Sequence, residues 1–513
     1  MIKIFLCFIL LISSNLSIAS EYIAVFKNPI NYALIRPYIN IDESKAFGPN
    51  NRFLLFKSDL SKAEIVSKLS QYRYFMHLSK NDKISIPPSP TFNNMSNTNS
   101  LWWQNNISLS KAHEITMGDK ELIVAVIDTG VDYLHQDMKD NILINENEIP
   151  RNNIDDDLNG KVDDYYGFDF YDNHGSAMDD NGHGTHCAGL IASNGKFKGV
   201  APNIKILPIK FLNNYGQGDI AKAIDAISYA IERGAKILSN SYGNPNSNQA
   251  FLETLKYAEE KNTIFLAAAG NAKNDNDARG EYPANYHLGN VLSVASLSSN
   301  NQKSNFSNYG QLSVDLFAPG ENILSLDVNN GYKVRSGTSM ATPIAAGIAA
   351  LIWSYFPDKT NSEVIEILLK STNKQKKLYK YAQNSGRSNA FNALEKIFPP
   401  ENYPFPITLI SEIDAVLNSD SPYENNSTKK YEMKFPEALK ISVHFSLVDI
   451  ENGYDYLQIE NSKGNILKKI TGKFGPSYTE FFDTNELIFR IVSDDTKTAI
   501  GFNINKVRIT KEN

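Results

Sequence analysis

Leu122-Ile123-Val124-Ala125-Val126-Ile127-Asp128-Thr129-Gly130 is an unbroken apolar run closed by an acid and a turn. A half-solvated strand would alternate apolar with polar residues, so a run of this kind suits a parallel strand covered on both faces. Residues 236–238, 263–268 and 291–294 read as further short strands of this sheet. Between them Ile220, Ala223, Ile224, Ile227 and Ile231 share one helical face, with Asp219 as cap and Gly234 as stop. Strand and helix alternating over 99–397 predict a three-layer α/β domain built on a parallel sheet.

On either side the pattern changes. Residues 20–98 read as a small α+β unit followed by a Pro/Asn/Ser-rich linker, with Ser61-Lys62-Ala63-Glu64 as the capping box of a helix. After a second proline-rich stretch, 405–513 is dominated by strands at 441–445, 456–459, 486–492 and 502–509, the pattern of an all-β sandwich. Lys3, the apolar residues 4–12 and the small residues up to Ala19 form a secretory leader, cleaved near residue 19, which predicts a secreted, extracellular protein. No later stretch is long and apolar enough to cross a membrane.

The 513 residues are 42% hydrophobic and 21% charged, the balance of a chain that forms cores. A net charge of −6 supplies no basic field, which argues against nucleic acid as a partner. Two cysteines, one of them in the leader, exclude a disulfide scaffold and leave the mature chain with Cys187 alone. With one thiol and no heptads, a monomer is expected.

In open α/β sheets, functional groups sit beyond the carboxyl ends of strands. Asp128 stands at such an end, as do Ser239-Asn240-Ser241-Tyr242-Gly243 and Ala269-Gly270-Asn271. Two further motifs complete the set: Asn181-Gly182-His183-Gly184-Thr185-His186-Cys187-Ala188-Gly189 and Gly337-Thr338-Ser339-Met340-Ala341-Thr342-Pro343. A serine hydroxyl becomes a nucleophile only beside a base, and the base needs an orienting acid.

The Asp128, His183 and Ser339 motifs, in that order, resemble the subtilisin-like serine proteases, the subtilases. The resemblance implies a serine-type endopeptidase hydrolysing peptide bonds through an acyl-enzyme. In it Ser339 is the nucleophile, His183 the general base and acid, Asp128 the orienting carboxylate and Asn271 the oxyanion-hole donor. It also implies that a polypeptide substrate pairs as a strand between one edge holding Gly216 and Gly218 and another made of Ser241, Tyr242 and Gly243. An ordinary loop is the alternative for the two glycines. Cys187 matches the cysteine of the proteinase K branch, and a small buried hydrophobe is the simplest role for it. Zinc on His183, His186 and Cys187 is the rival chemistry, and no fourth ligand cluster stands out.

Asp155, Asp157, Asn159, Lys161 and Asp163 occupy alternate positions around Gly160, matching the first nine positions of a calcium loop. Tyr166 stands where the twelfth-position glutamate would, so the loop is not a full helix-loop-helix site, and a solvated acidic loop is the alternative. Longer subtilases carry similar loops that bind structural calcium. A second family site, near Asp137, is not expected, because the 193–198 loop is short and carries two lysines.

Residues 20–98 resemble subtilase propeptides, which plug the site until self-cleavage, so the chain's own propeptide is an expected inhibitor. The C-terminal region resembles a CUB domain, with Glu451, Asp455 and Asp494 matching the acids of calcium-binding members; a generic jelly-roll is the alternative. Either fold suits binding protein or glycan. A non-catalytic scaffold is the rival function. Broad specificity is expected; for Asp275 and Asp277, in the loop after Asn271, attracting basic substrate residues, facing water and binding calcium are the open readings.

Overall fold

A computed structural model describes residues 19–39, 44–90, 101–399, 409–451, 454–474, 477–479, 482–495 and 498–511. The stretch expected to be a leader, but for its last residue, and most of both proline-rich stretches lie outside these residues.

The central sheet has nine strands, and its neighbours in order are Asn373–Lys374, Gly386–Arg387, Leu316–Pro319, Val291–Leu297, Ile264–Ala268, Ile237–Asn240, Ile123–Asp128, Lys205–Lys210 and Phe168–Asp169. Apart from the antiparallel pair at the first edge, all are parallel. Consecutive residues of Ile123–Asp128 point into different cores. Val124 and Val126 join the core that holds the helices His183–Ala192 and Thr338–Tyr355. Ala125 and Ile127 join the core under the helix Ile220–Glu232. An apolar run serves both faces because there is helix on both. The helix Ile220–Glu232 begins where the sequence places it, with Asp219 accepting from the Lys222 N–H at 3.1 Å.

The N-terminal unit is a four-stranded antiparallel sheet in the order Lys45–Phe47, Phe53–Ser58, Ser20–Phe26, Phe75–Lys80. Its helix Lys62–Leu69 opens with the capping box formed by Ser61 and Glu64. Tyr22, Ala24 and Phe26 pack into the unit's own core, whereas Ile23 and Val25 pack into the core of the central domain. The unit also satisfies helix donors that would otherwise be orphaned: the Ile220 N–H donates to Asp82 O (3.1 Å) and the Ala221 N–H to Asn81 Oδ1 (2.9 Å).

The C-terminal region is two antiparallel sheets. One is ordered Leu409–Asn418, Gly501–Lys511, Lys440–Ile450, Gly472–Phe474, with Ser477–Tyr478 also on Lys440–Ile450. The other is ordered Lys430–Lys434, Glu486–Val492, Tyr456–Asn461, Ile466–Ile470. Ile441, Val443 and Phe445 of the first and Leu457, Ile459, Phe489 and Ile491 of the second fill one core, as alternate residues of facing strands do in a sandwich. Among the described residues no helix is long and apolar enough to cross a membrane.

Asp315 precedes the strand Leu316–Pro319 and accepts from the Ser293 N–H at 2.7 Å. Desolvation pushes its carboxyl up to about 7. Between roughly pH 4 and 7 the folded chain therefore holds a proton that the unfolded chain has released, and stability falls as pH rises. Asp315→Asn keeps the acceptor and cannot ionise. It is expected to raise the melting temperature more at pH 8 than at pH 5, which thermal unfolding at the two values checks.

Candidate active site

Asp128 and His183 come together at the carboxyl end of the strand Ile123–Asp128, both almost fully buried. His183 Nδ1 lies 2.8 Å from Asp128 Oδ1, which also accepts from the Thr129 N–H at 2.8 Å. A carboxylate only accepts, so Nδ1 carries a ring proton, and in the neutral ring Nε2 then keeps its lone pair. Nε2 has no hydrogen-bond partner among the described residues. The approach of helix to strand depends on Gly184, because a Cβ there would overlap the Gly130 carbonyl.

Asp179, which the sequence reading passed over, ties the two motifs together. Its Oδ1 accepts from the Thr129 hydroxyl (2.8 Å) and from the N–H groups of Asn181 and Gly182 (both 2.9 Å). Its Oδ2 accepts from the Thr185 N–H (2.9 Å) and hydroxyl (2.6 Å). Burial raises this carboxyl even against those bonds. An acid shortly before Gly182 and the start of a helix was the available sign.

Ser339 is the second residue of the helix Thr338–Tyr355. Pro343 lies one turn on and has no N–H, so the Ser339 carbonyl loses its helical donor. It accepts instead from the Ser241 hydroxyl at 3.0 Å and the Cys187 thiol at 3.4 Å. Cys187 is one turn beyond His183, so this carbonyl joins the serine helix, the histidine helix and the 241–243 edge. Ser339 Oγ itself donates to the Ser241 carbonyl at 3.4 Å. Burial raises the Cys187 thiol well above its ordinary value, the behaviour of a buried neutral group. His186 Nε2 faces the carbonyls of Ile323 (3.1 Å) and Lys333 (3.0 Å), and burial pushes the ring well below the usual histidine range. His186 is thus turned to backbone, away from the zinc grouping considered above.

Asn271 Oδ1 accepts from the Thr338 N–H (2.9 Å) and hydroxyl (3.0 Å), which leaves Nδ2 facing the cleft. There Nδ2 donates to the carbonyl of Pro88 at 3.2 Å. Upstream, Lys83–Ser85 pairs antiparallel with Gln217–Asp219, which contains Gly218, and the Ile86 N–H donates to Gly216 O at 3.0 Å. Ser85 and Gly243 exchange backbone bonds of 3.3 and 2.9 Å. Residues 83–88 thus lie between the two edges read from the sequence and end at Asn271. Tyr242 contributes backbone to this edge, since its buried hydroxyl donates to Asn240 Oδ1 at 2.8 Å.

The family described as "Subtilase family" matches residues 119–392. The chain belongs to this family. A match to "CUB domain" covers residues 410–505. Thermitase of Thermoactinomyces vulgaris is 39% identical over 235 residues, 45% of this chain and 74% of that protein. The major intracellular serine protease of Bacillus subtilis (strain 168) is 37% identical over 307 residues, 57% of this chain and 89% of its own. Subtilisin-like protease 1 of Plasmodium falciparum (isolate 3D7) is 36% identical over 268 residues, 48% of this chain. The subtilase matches only 39% of that relative's length.

Two acidic clusters lie apart from the cleft of this subtilase. Glu148, Asp157 and Asp164 bring one carboxylate oxygen each within 4.8 Å of one another. Burial raises Glu148, and the charges of Asp164 and Asp157 add to the shift. Of the loop residues read from the sequence, only Asp157 belongs to this cluster. Asp155 instead accepts from the N–H groups of Asn159 (3.0 Å) and Gly160 (2.8 Å). Asp163 accepts from those of Asn152 (2.9 Å) and Asn153 (3.0 Å). Asn159 Nδ2 donates to Asp157 and Asp164, both at 3.1 Å, and the Lys161 ammonium lies over the rings of Phe168 and Phe170. The second cluster, Glu451, Asp455 and Asp494, gathers the three acids read from the sequence. There Glu451 Oε2 is buried with no hydrogen-bond partner among the described residues. Asp137 holds the Lys196 N–H (2.8 Å) and the Tyr332 hydroxyl (2.7 Å).

Ser241→Ala leaves the buried Ser339 carbonyl with only a weak thiol donor. It is expected to cost about 1–2 kcal/mol in urea unfolding. Ser241→Ala with Cys187→Ala should cost more than the sum of the single changes, because the two donors share one acceptor.

Proposed function

We propose that this protein is a secreted serine endopeptidase made as a self-processed precursor. The reading rests above all on the Asp128–His183 pair meeting the Ser339 helix beside an edge that holds an extended peptide segment. Ser339 Oγ attacks the carbonyl carbon of the scissile peptide while His183 Nε2 takes its proton. Asp128 holds the ring in the tautomer that leaves Nε2 free and stabilises the imidazolium that forms. The Asn271 Nδ2 amide donates to the carbonyl oxygen as it gains charge. The proton then passes from His183 to the departing amine, leaving an acyl-enzyme that water hydrolyses with His183 again as base. Main-chain pairing along 216–218 and 241–243 carries affinity without reading side chains, which supports broad specificity along most of the substrate.

The segment 83–88 in the cleft supports the N-terminal unit as the enzyme's own inhibitor, released by cleavage in the linker that follows. The leader at 1–19 supports export, the monomer remains the proposed state, and the CUB domain is proposed to bind protein or glycan. A fluorophosphonate probe tests the central claim. The exported protein should label at Ser339, His183→Ala should abolish labelling, and Ser339→Ala should accumulate as uncut precursor. No labelling of the exported protein would favour a non-catalytic scaffold.

We also propose structural calcium at both acidic clusters. Glu148, Asp157 and Asp164 crowd like charge that a hard cation with oxygen ligands would relieve. Glu451, Asp455 and Asp494 offer a similar set, with Glu451 Oε2 otherwise unsatisfied. Calcium there would brace loops and take no part in the reaction. Chelation is expected to lower the melting temperature, and Asp157→Asn to shrink that response; unfolding scans with and without chelator check both.

A further inference from the structure

The loop after Asn271 carries Asp275, Asp277 and Glu281. Asp277 Oδ1 accepts from the Ser313 N–H (2.9 Å) and hydroxyl (2.7 Å), and Asp275 Oδ1 accepts from the Asp277 N–H (3.0 Å). Those two acids help shape their own loops. Glu281 is placed differently. A Cβ at Gly243 would overlap Glu281 Oε1, and one at Gly270 would lie 3.3 Å from Glu281 Cγ. Glu281 therefore lies against both glycines, its carboxylate beside Gly243 and its Cγ beside Gly270.

These glycines bracket the path of the bound segment. Gly243 pairs with Ser85, and Gly270 precedes Asn271, which holds the Pro88 carbonyl. Between those anchors Pro87 is buried. The residue two beyond the Gly243 contact of a peptide on this path thus lies between these two glycines, both of which Glu281 adjoins. No hydrogen bond or ion pair reaches the Glu281 carboxylate among the described residues. Burial raises it to about 7, and Arg279 acts in the opposite sense. A partly buried acid without a partner is costly, and a cation from outside relieves that cost. The apolar stems of lysine and arginine suit an approach between two glycines.

We propose that Glu281 is the specificity-determining residue of the cleft and selects a lysine or arginine on the acyl side of the scissile bond. This rests on the protease reading above and narrows its broad specificity at one position.

The test compares kcat/KM for peptides that differ only in that residue, Lys and Arg against Leu and Phe, in the mature enzyme and in Glu281→Gln. The ratio of basic to apolar should exceed one in the native enzyme and fall at least about tenfold in the variant, the loss of a charge-assisted contact. Glu281→Lys, with its folding checked by thermal unfolding, should turn the preference towards Asp and Glu. A native enzyme that cleaves these peptides with a ratio both variants leave unchanged overturns the assignment of Glu281 alone. A native protein that cleaves none of them and resists the fluorophosphonate overturns the protease reading and this assignment together.

Discussion

The Ser339 carbonyl is the point on which the rest of the site depends. Pro343 denies it an intrahelical hydrogen bond, and a buried acceptor must find another donor. It finds two, the Ser241 hydroxyl and the Cys187 thiol. The first lies on an edge that holds the peptide segment and the second on the helix that carries His183. One missing N–H is thus converted into a junction of three chain segments. Cys187 has a structural place in this arrangement, and its raised pKa suits a thiol that donates rather than reacts.

Asp179 does for the other half of the site what that carbonyl does for the serine. By accepting from Thr129 as well as from the start of the His183 helix, it holds the strand end and the helix start against each other. The Asp128–His183 distance of 2.8 Å is therefore set from behind. The N-terminal unit uses the same logic, since Asn81 and Asp82 cap free N–H groups of a catalytic-domain helix. The strand that follows enters the cleft in a fixed register. Capping, pairing and core sharing together hold that unit in place.

Motifs whose chemistry is local were legible in the chain. The Asp128 strand end, the His183 and Ser339 helix starts and the Ser61 capping box each depend on residues within a turn or two of one another. The three CUB acids were legible as well, through resemblance. The first acidic cluster was not, because Glu148 and Asp164 join Asp157 from outside the alternating pattern. That pattern's other acids, Asp155 and Asp163, are drawn to nearby amides. Glu281 left no sign beside the more prominent Asp275 and Asp277.

The order of apolar and polar residues was enough to establish a parallel α/β layer flanked by two smaller units, because burial on one face or two imprints a period on the chain. The proposed acid, base, alcohol and amide came instead from the motifs' resemblance to the subtilases. Which carboxylates gather, and which side chain lies against the two cleft glycines, depended on how distant loops pack. A carboxylate is claimed by whichever amides, cations or acids folding brings within about 3 Å, and spacing along the chain does not encode that distance.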